Sequence, residues 1–314
     1  MSPAPELDCL VIADDLTGAC DAAVQFALCG RPTSVMLAMD APPAGATVIA
    51  VSTESRHLDE SAAARLIEQV ANWFTARIVF KKIDSVLRGS PGAEIAAALD
   101  AFRCEAAVAT PAFPAMGRFV NSANAADVAR TLRSDAHVEP HAVAEALSSG
   151  ARVVTASSVS DADLDAVVAG GIASRRRILW AGSGGLAAAL ARHWGGSPEL
   201  RISPLPTSLI FCIGSDHPVT LQQIARLRDA KPDAVVLPAG PIPDCGALLL
   251  SGGDTASAIC RAAETRRIDL YGELLPGIPW GILRCGRLDG IPVVTKSGGF
   301  GAPDALIRVA EFFQ

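Results

Sequence analysis

Aromatic side chains are scarce in this sequence: they make up 5% of its 314 residues and include a single tyrosine, Tyr271. The hydrophobic half of the composition is therefore supplied mainly by alanine, valine, leucine and isoleucine. Aliphatic strands are typical of parallel sheets, which helices bury on both faces. The chain is long enough for one large domain or two ordinary ones.

Signatures of several other enzyme classes are missing. The sequence has no Walker A motif and no Gly-x-Ser-x-Gly elbow, which argues against a P-loop enzyme and a serine hydrolase. The eight cysteines form no Cys-x-x-Cys pair, and none is combined with histidine at zinc-ligand spacing. We therefore predict no metal-ligating residues, and expect the cysteines to be reduced and mostly buried.

Excess positive charge is also absent. The formal net charge is −6, whereas a broad nucleic-acid surface needs clustered lysine and arginine. The only basic run, at 175–177, precedes an apolar segment and is interpreted as a solvated loop. No apolar run reaches transmembrane length, and the N-terminus shows no secretory signal. These features predict a cytoplasmic protein without nucleic-acid or membrane partners.

Aliphatic runs alternate with amphipathic stretches along most of the chain, which is the pattern of β-α-β units. A stretch rich in proline and glycine at 194–206 predicts a linker. We therefore expect an α/β protein of two domains, 1–203 and 204–314, each a largely parallel sheet flanked by helices. Ligands of such sheets bind beyond the carboxyl ends of the strands, so the active site is expected in the cleft between the domains. The stretch 121–139 is weakly patterned and stays unassigned.

Two adjacent aspartates, Asp14 and Asp15, follow the first predicted strand. One aspartate would suffice to cap the next helix, and a cap with a turn is the alternative interpretation. The second carboxylate indicates hydrogen bonds to a polyhydroxy ligand, or a metal held through water.

Charged side chains also crowd the loop after the strand at 78–82, which contains Lys82, Asp84, Ser85 and Arg88. Because the planar fork of arginine fits a carboxylate, this loop is suited to an acid substrate, with a surface charge cluster as the alternative. Arg118 ends a proline-rich turn further along, which by itself indicates only a rigid turn.

Glycine-rich loops follow three strands of the second predicted domain, at 214–217, 251–255 and 296–301. Glycine lets backbone N–H groups approach an anion, and the N-terminus of a following helix favours negative charge. Two such loops with a lysine predict a triphosphate cradle, and ordinary strand-to-helix turns are the alternative. A similar loop at 182–187 matches the dinucleotide fingerprint formally, but lacks its acidic partner, so a tight turn is favoured over an oxidoreductase site.

Seven short motifs in one order resemble the four-carbon acid sugar kinase family. They lie at 13–19, 81–89, 111–118, 182–186, 251–256, 272–281 and 296–301. The resemblance implies an N-terminal domain that binds a sugar acid and a C-terminal domain that binds ATP with Mg²⁺. It also implies phosphorylation of the terminal hydroxyl of threonate, erythronate or 3-oxo-tetronate.

The resemblance also implies roles for individual residues. It assigns substrate binding to Asp14, Asp15, Lys82, Asp84, Ser85, Arg88 and Arg118. It assigns cofactor binding to Ser215, Gly252, Gly253, Asp254, Thr255, Gly277, Lys296, Gly298 and Gly299. Catalytic roles fall to Asp15, Asp84 and Asp254, the last as a general base or as a holder of Mg²⁺ through water.

The chain is shorter than such a kinase is expected to be. Between the predicted helix ending near 228 and the loop at 251 there is room for little more than one strand, at 234–237. An abbreviated nucleotide domain leaves an alternative open, a non-catalytic homologue that senses a sugar acid or a nucleotide. A homodimer is a further expectation.

Overall fold

The computed structural model describes residues 6–196, 208–238, 240, 242 and 245–314. The domain boundary expected at 203/204, and most of the expected linker, lie outside these residues. The described strands are β1 Leu7–Ala13, β2 Thr33–Met36, β3 Val48–Ser52, β4 Ala76–Lys82, β5 Ala106–Thr110, β6 Ala136–Val138, β7 Val153–Ala156, β8 Ile178–Gly182, β9 Leu209–Ile213, β10 Val235–Leu237, β11 Ala247–Ser251, β12 Arg267–Leu275, β13 Ile278–Arg284 and β14 Pro292–Lys296.

Helices follow most of these strands, as the alternating pattern predicts. They are α1 Leu16–Leu28, α2 Glu60–Trp73, α3 Pro91–Ala101, α4 Ala125–Thr131, α5 Val143–Ser148, α6 Asp161–Ala173, α7 Gly184–Trp194, α8 Pro218–Ala230, α9 Gly253–Ala262 and α10 Ala305–Phe312. The unassigned stretch 121–139 contains α4 and β6. Within the described residues, no helix is both long and apolar enough to cross a membrane.

The described strands form one sheet in the order β10-β9-β11-β14-β13-β12-β2-β3-β1-β4-β8-β5-β7-β6. The N-terminal part contributes the eight strands β2-β3-β1-β4-β8-β5-β7-β6, and all of them are parallel. The strands β10, β9, β11 and β14 of the C-terminal part are also parallel to one another. The α/β class is thus confirmed. The unexpected feature is the antiparallel hairpin of β12 and β13, which joins the two parallel blocks edge to edge through β2.

Sheet twist explains how both blocks can serve one cleft. Three antiparallel pairings separate β14 from β2, so the C-terminal parallel strands run opposite to the N-terminal ones along the sheet. Neighbouring strands rotate by about 20–25°, and six steps separate β11 from β1, so the accumulated rotation is roughly 120–150°. This rotation brings the carboxyl ends of both blocks round to face each other.

Helix α1 lies at the centre of this arrangement. It begins at Leu16, because the Asp15 carboxylate accepts a hydrogen bond from the amide of Gly18 and caps the helix. Its buried face packs on α7 of the N-terminal block and also on α9, β12 and β13 of the C-terminal block. The loop that starts α1 is therefore fixed between the two blocks.

Candidate active site

A cleft of about 780 Å³ lies where the strand-end loops of the two blocks meet. Its N-terminal wall carries the predicted residues Asp15, Lys82, Asp84, Ser85, Arg88 and Arg118. Its C-terminal wall carries the predicted residues Ser215, Gly252, Gly253, Asp254, Thr255, Gly298 and Gly299. Residues far apart in sequence are thus brought together at the place where open α/β sheets bind ligands.

Arg56 organises the aspartate pair at the end of β1. Its Nε and Nη2 donate to the two carboxylate oxygens of Asp14 at 2.8 Å each. Its Nη1 and Nη2 donate to Asp15 at 2.9 and 3.0 Å. Burial opposes ionisation of Asp14, but the hydrogen bonds and charge of Arg56, with the nearby lysines, hold the pKa of Asp14 below its usual value. Asp14 can therefore stay charged although it is buried beside a second carboxylate.

A second network lies beneath Arg56 and holds its loop. The ammonium of Lys81 contacts the carboxylate of Glu94 at 3.1 Å, and both side chains are buried. The other oxygen of Glu94 accepts a hydrogen bond from the Ser55 hydroxyl at 2.6 Å. Because Ser55 precedes Arg56, this buried ion pair anchors the backbone that presents the guanidinium to the cleft.

The loop after β4 presents Asp84 and Arg88 as a pair. Arg88 donates through Nε and Nη2 to the two oxygens of Asp84, at 3.0 and 2.7 Å. Burial alone would raise the pKa of Asp84, but these bonds and the charge of Arg56 lower it to about 2. Asp84 is therefore a charged hydrogen-bond acceptor and a weak base at neutral pH.

Lys82 reaches the same wall from the last position of β4. Its ammonium donates to the carbonyl of Ile83 at 3.0 Å and lies 3.7 Å from the carboxylate of Asp21. Asp21 is fully buried on α1, and neither of its oxygens accepts a hydrogen bond within the described residues. Burial raises the pKa of Asp21 to about 6, although the charge of Lys82 opposes the increase.

The C-terminal wall is built from backbone. Helix α9 begins directly after Gly252, whose φ of +98° lies in the region that favours glycine. The first amides of α9 point along its axis into the cleft, with the favourable end of the helix dipole. The loops after β9 and β14 lie beside it, so three chain segments offer N–H groups to one place.

The two walls touch at the bottom of the cleft. The Ser297 hydroxyl donates to the hydroxyl of Thr17 at 3.1 Å. A methyl group built on Gly253 would lie 2.4 Å from the Asp15 carboxylate, so the start of α9 packs directly against that side chain. His57 lies 3.6 Å from Asp254 across the opening, and the Asp254 side chain is 82% exposed. Asp15 is thus the carboxylate of the N-terminal wall that packs against the glycine-rich wall.

Comparisons with known proteins agree with this division. A family model described as a sugar-binding N-terminal domain matches residues 9–125, and one described as a nucleotide-binding C-terminal domain matches residues 239–306. A D-threonate kinase of Bordetella bronchiseptica is 30% identical over 96% of both chains. A D-threonate kinase of Cupriavidus necator is 29% identical over 95% of this chain and 96% of its own.

The chain belongs to the four-carbon acid sugar kinase family. A D-erythronate kinase of Heliobacterium modesticaldum is also similar, at 24% identity. A solved chain from Bordetella bronchiseptica, a domain-swapped dimer with bound citrate, is 30% identical and covers 98% of both chains at a TM-score of 0.52. A solved chain from Salmonella typhimurium, titled a putative tRNA synthase, is 18% identical with a TM-score of 0.76, and shares the fold.

This chain is a compact member of the family. Its alignment with the Bordetella kinase runs over 396 positions and uses 96% of 314 residues, about 301. About 95 of those positions therefore have no counterpart here. The expected shortening of the chain is thus confirmed, and β10 is the described strand between α8 and β11.

Three predicted family residues do not line the cleft. Asp14 is buried behind Arg56. Gly277 sits at the tip of the β12–β13 hairpin with φ of +70°, packed under Phe300, which does line the cleft. Lys296 is fully buried, and its ammonium donates to the carbonyls of its own loop. All three therefore reach a ligand only through neighbouring groups.

Several cleft residues were missed by the sequence reasoning, chiefly Arg56, His57, Thr17 and Ser297. Arg56 and His57 lie in the loop after β3, which reads Thr-Glu-Ser-Arg-His, and this polar run at a strand end is the sequence signal that marks them.

The loop at 182–187 is closely packed. A methyl group on Gly184 would lie 2.7 Å from a carboxylate oxygen of Asp21, and one on Gly185 would lie 2.8 Å from the carbonyl of Ala112. Ser183 caps α7 by accepting a hydrogen bond from Gly185. The interpretation of this loop as a tight turn is thereby confirmed.

Proposed function

We propose that this protein transfers the terminal phosphate of ATP to the terminal hydroxyl of a four-carbon sugar acid such as threonate, erythronate or 3-oxo-tetronate. The observation that carries the proposal is the contact of the two unlike walls at Asp15 and Gly253. A charged pocket suited to an acidic polyol meets a backbone pocket suited to phosphate at that point. Kinases chiefly need such positioning and charge neutralisation, because phosphoryl transfer asks little covalent chemistry of the protein.

The sugar acid is assigned to the N-terminal wall. Lys82, Arg88 and Arg118 supply cationic donors for its carboxylate. Arg88 keeps unused N–H groups while it holds Asp84, so it can bind both partners. Asp84 and Asp15 accept hydrogen bonds from the hydroxyls, and Asp14 keeps Arg56 in place. The citrate held by the solved Bordetella chain supports an acid-binding site in this family.

The phosphates of ATP are assigned to the C-terminal wall. Gly252, Gly253 and Thr255 at the start of α9, with Ser215, Gly298 and Gly299, offer backbone and hydroxyl donors. The exposed carboxylate of Asp254 lies at the rim of the same wall. A dipole-stabilised anion site beside an acidic side chain is what a nucleotide with its counter-ion requires.

Mg²⁺ fits the oxygen donors of this cleft, since it is usually held by one or two carboxylates together with substrate phosphates. No group of three or more metal-ligating side chains occurs in the part of the chain that is described, so substrate phosphates and water would supply the remaining ligands. Asp254 and Asp15 are the candidate protein ligands. When bound, Mg²⁺ neutralises the charge of the phosphates.

The general base is either Asp15 or Asp254. Asp15 lies where the walls touch and Asp254 lies at the rim of the glycine-rich wall, whereas the low pKa of Asp84 makes it a poor proton acceptor. Asp254→Asn should abolish turnover and leave the fold intact, as judged by ATP consumption and circular dichroism. Full activity of this variant would remove both roles proposed for Asp254.

The decisive test is an ATP-consumption screen with Mg²⁺ against the stereoisomers of threonate and erythronate and against 3-oxo-tetronates. At least one compound should be phosphorylated, with the phosphate on the terminal hydroxyl by NMR. About 95 alignment positions missing relative to the Bordetella kinase favour a second candidate, a non-catalytic sensor. Binding of one ligand by calorimetry without ATP consumption would support that sensor and reject the kinase.

We also propose a homodimer in the cytoplasm, without nucleic-acid or membrane partners. Support for the dimer is the dimeric state of the solved Bordetella chain. Buried cysteines such as Cys9, Cys20 and Cys260, whose thiol pKa burial raises, suit a reducing compartment. Light scattering after size exclusion should give twice the chain mass of 32.4 kDa.

A further inference from the structure

The loop after β14 is held from behind by three buried side chains. The ammonium of Lys296 donates to the carbonyls of Ser297 and Gly298, at 3.2 and 3.1 Å. From α8, the hydroxyl of Thr220 donates to the same carbonyl of Gly298. Lys296 and Thr220 are fully buried, so these bonds lie on the interior side of the loop.

Gln223, one turn further along α8, holds the rest of the loop. Its amide nitrogen lies within hydrogen-bonding distance of three successive carbonyls, those of Phe300, Gly301 and Ala302, at 3.1, 3.1 and 2.9 Å. Gln223 is also fully buried. Five carbonyl oxygens between 297 and 302 are therefore drawn towards the interior, by Lys296 of the loop's own motif and by two side chains of α8 that lie outside it.

Peptide geometry then dictates where the N–H groups of the loop point. In a planar trans peptide the C=O and the following N–H point in opposite directions, and no cis peptide bond occurs in the described residues. The inward carbonyls of Ser297 and Gly298 therefore turn the amides of Gly298 and Gly299 outward. The inward carbonyl of Phe300 does the same for Gly301.

These outward amides have no hydrogen-bond acceptor within the described part of the chain, whereas the amide of Phe300 donates to Ser297. Gly298 and Gly299 line the cleft, and Gly299 and Gly301 line an adjoining pocket of about 350 Å³. The successive free N–H groups of Gly298 and Gly299 therefore face one concavity, which is the arrangement of an anion-binding nest, and Gly301 adds a free N–H group in the adjoining pocket.

We propose that Lys296, Thr220 and Gln223 are positioning residues that hold this loop with its amides turned into the cleft, so that the phosphate site exists before nucleotide arrives. The proposal deepens the proposed kinase function and rests on it. It also gives a role to Lys296, whose ammonium forms no ion pair with a carboxylate of the described residues. An ammonium behind the loop adds positive charge to the nest without touching the ligand.

The chemistry of Lys296 is consistent with that role. Burial lowers the pKa of Lys296 to about 8, since its charge has no anionic partner. A phosphate bound to the outward amides would supply the anionic charge that Lys296 lacks, on the opposite side of the loop.

The test compares Gln223→Met, which keeps the side-chain length and removes the donor, with Gln222→Ala at the exposed neighbouring position of α8. Binding of inorganic tripolyphosphate and of ATP is measured by calorimetry, and binding of threonate serves as the reference. We expect Gln223→Met to lower the affinity for tripolyphosphate and for ATP by about tenfold or more, and the affinity for threonate by less than about twofold. The Gln222→Ala protein should match the wild type.

A second measurement follows the amides themselves. In protein labelled with ¹⁵N-glycine, tripolyphosphate should shift the Gly298 and Gly299 signals of the wild type and of Gln222→Ala. At the same concentration those shifts should be lost in Gln223→Met. Unchanged tripolyphosphate affinity in a folded Gln223→Met protein, or no shift of either glycine in the wild type, would overturn the proposal.

Thr220→Val keeps the shape of its side chain and provides the same comparison if Gln223→Met fails to fold. A smaller loss of tripolyphosphate affinity is expected, since one donor is removed, and unchanged affinity would again contradict the proposal. Failure of the kinase function is distinguishable. If the wild type binds tripolyphosphate through these glycines but phosphorylates no sugar acid, the proposed phosphate site stands and the proposed kinase function is rejected.

Discussion

The two walls of the cleft are built from different materials. The N-terminal wall is made of charged side chains, with Arg56 joining two aspartates and Arg88 paired with Asp84. The C-terminal wall is made of backbone amides at glycine positions, such as Gly253 and Gly298. A wall of side chains can match the arrangement of hydroxyls on a particular polyol, whereas a wall of amides binds any phosphate.

The difference predicts how each wall fails. The charged wall should fail when a charge is left without its partner, because an unpaired buried charge is costly. The backbone wall should keep its ligand affinity when charges are changed. It should lose that affinity when a Cβ fills the space of a glycine, or when Lys296, Thr220 or Gln223 no longer holds the loop from behind. Four substitutions test this contrast, in order of decreasing effect.

The largest effect is expected for Arg56→Ala. The Arg56 side chain is 12% exposed and its guanidinium bonds to both Asp14 and Asp15, so its removal leaves two buried carboxylates facing each other. We expect a loss of about 3–5 kcal/mol in the free energy of unfolding, measured with urea, and no turnover. Arg65→Ala, at an exposed position of α2, should cost less than about 0.5 kcal/mol. Equal losses in the two variants would show that Arg56 does not hold the pair.

The next effect concerns Glu273, which joins the walls from behind. Its carboxylate accepts hydrogen bonds from the Gln25 side chain at 2.9 Å and from the amide of Gly277 at 3.1 Å. Burial, with the charge of Asp21, raises its pKa to about 7 from an ordinary 4.5. A raised carboxyl pKa favours the folded state at low pH, and that contribution is lost as the pH rises from about 4.5 to 7.

Glu273→Gln keeps the acceptor oxygen for both donors and removes the titration. The variant should therefore be more stable than the wild type at pH 8, by about 2–3 kcal/mol at most, and show no such gain at pH 4.5. Urea unfolding at the two pH values measures this, with the exposed Glu311→Gln as control. A gain in stability of equal size at both pH values would show that the raised pKa of Glu273 is not its cause.

Gly253→Ala tests the contact between the walls. The added methyl group would lie 2.4 Å from the Asp15 carboxylate, so either Asp15 or the start of α9 must move. Displacement of reacting groups by about 1 Å can cost on the order of a hundredfold, and we expect a loss of that size in kcat/KM. Gly240→Ala is the control, since no atom of the described residues lies within 4 Å of a Cβ built at that position. Similar kinetics for both variants would show that the contact is unimportant.

The smallest effect is expected for Arg88→Ala. Because its side chain is 60% exposed, the loss of stability should stay below about 1 kcal/mol. The KM for the sugar acid should rise by about tenfold, with the KM for ATP unchanged, since the lost donors belong to the charged wall alone. Unchanged kinetics would remove Arg88 from the substrate site, and a rise in both KM values would erase the distinction between the walls.

Sequence reasoning succeeded where chemistry is local. The aspartates after β1, the charged loop after β4 and the glycines before α9 were each identified because a strand end and an unusual residue coincide in the chain. It missed Arg56, because the loop after β3 marks this arginine only as a polar residue at a strand end, and the two aspartates that it binds lie 41 and 42 residues away in the chain. It assigned Lys296 to the nucleotide without showing that this lysine lies behind the loop.

By itself the sequence determined the α/β class, the order of the strand-end loops and the residue types that each presents, because strand periodicity and glycine conformations are properties of short segments. Only the tertiary structure decided which loops meet. The β12–β13 hairpin reverses the strand direction, and the accumulated twist of the sheet turns the reversed block back towards the first. The hairpin turn at Pro276 and Gly277 is a local feature of the chain, but the accumulated twist leaves no local trace. Together they place Gly253 against Asp15 and make one cleft out of two sets of loops.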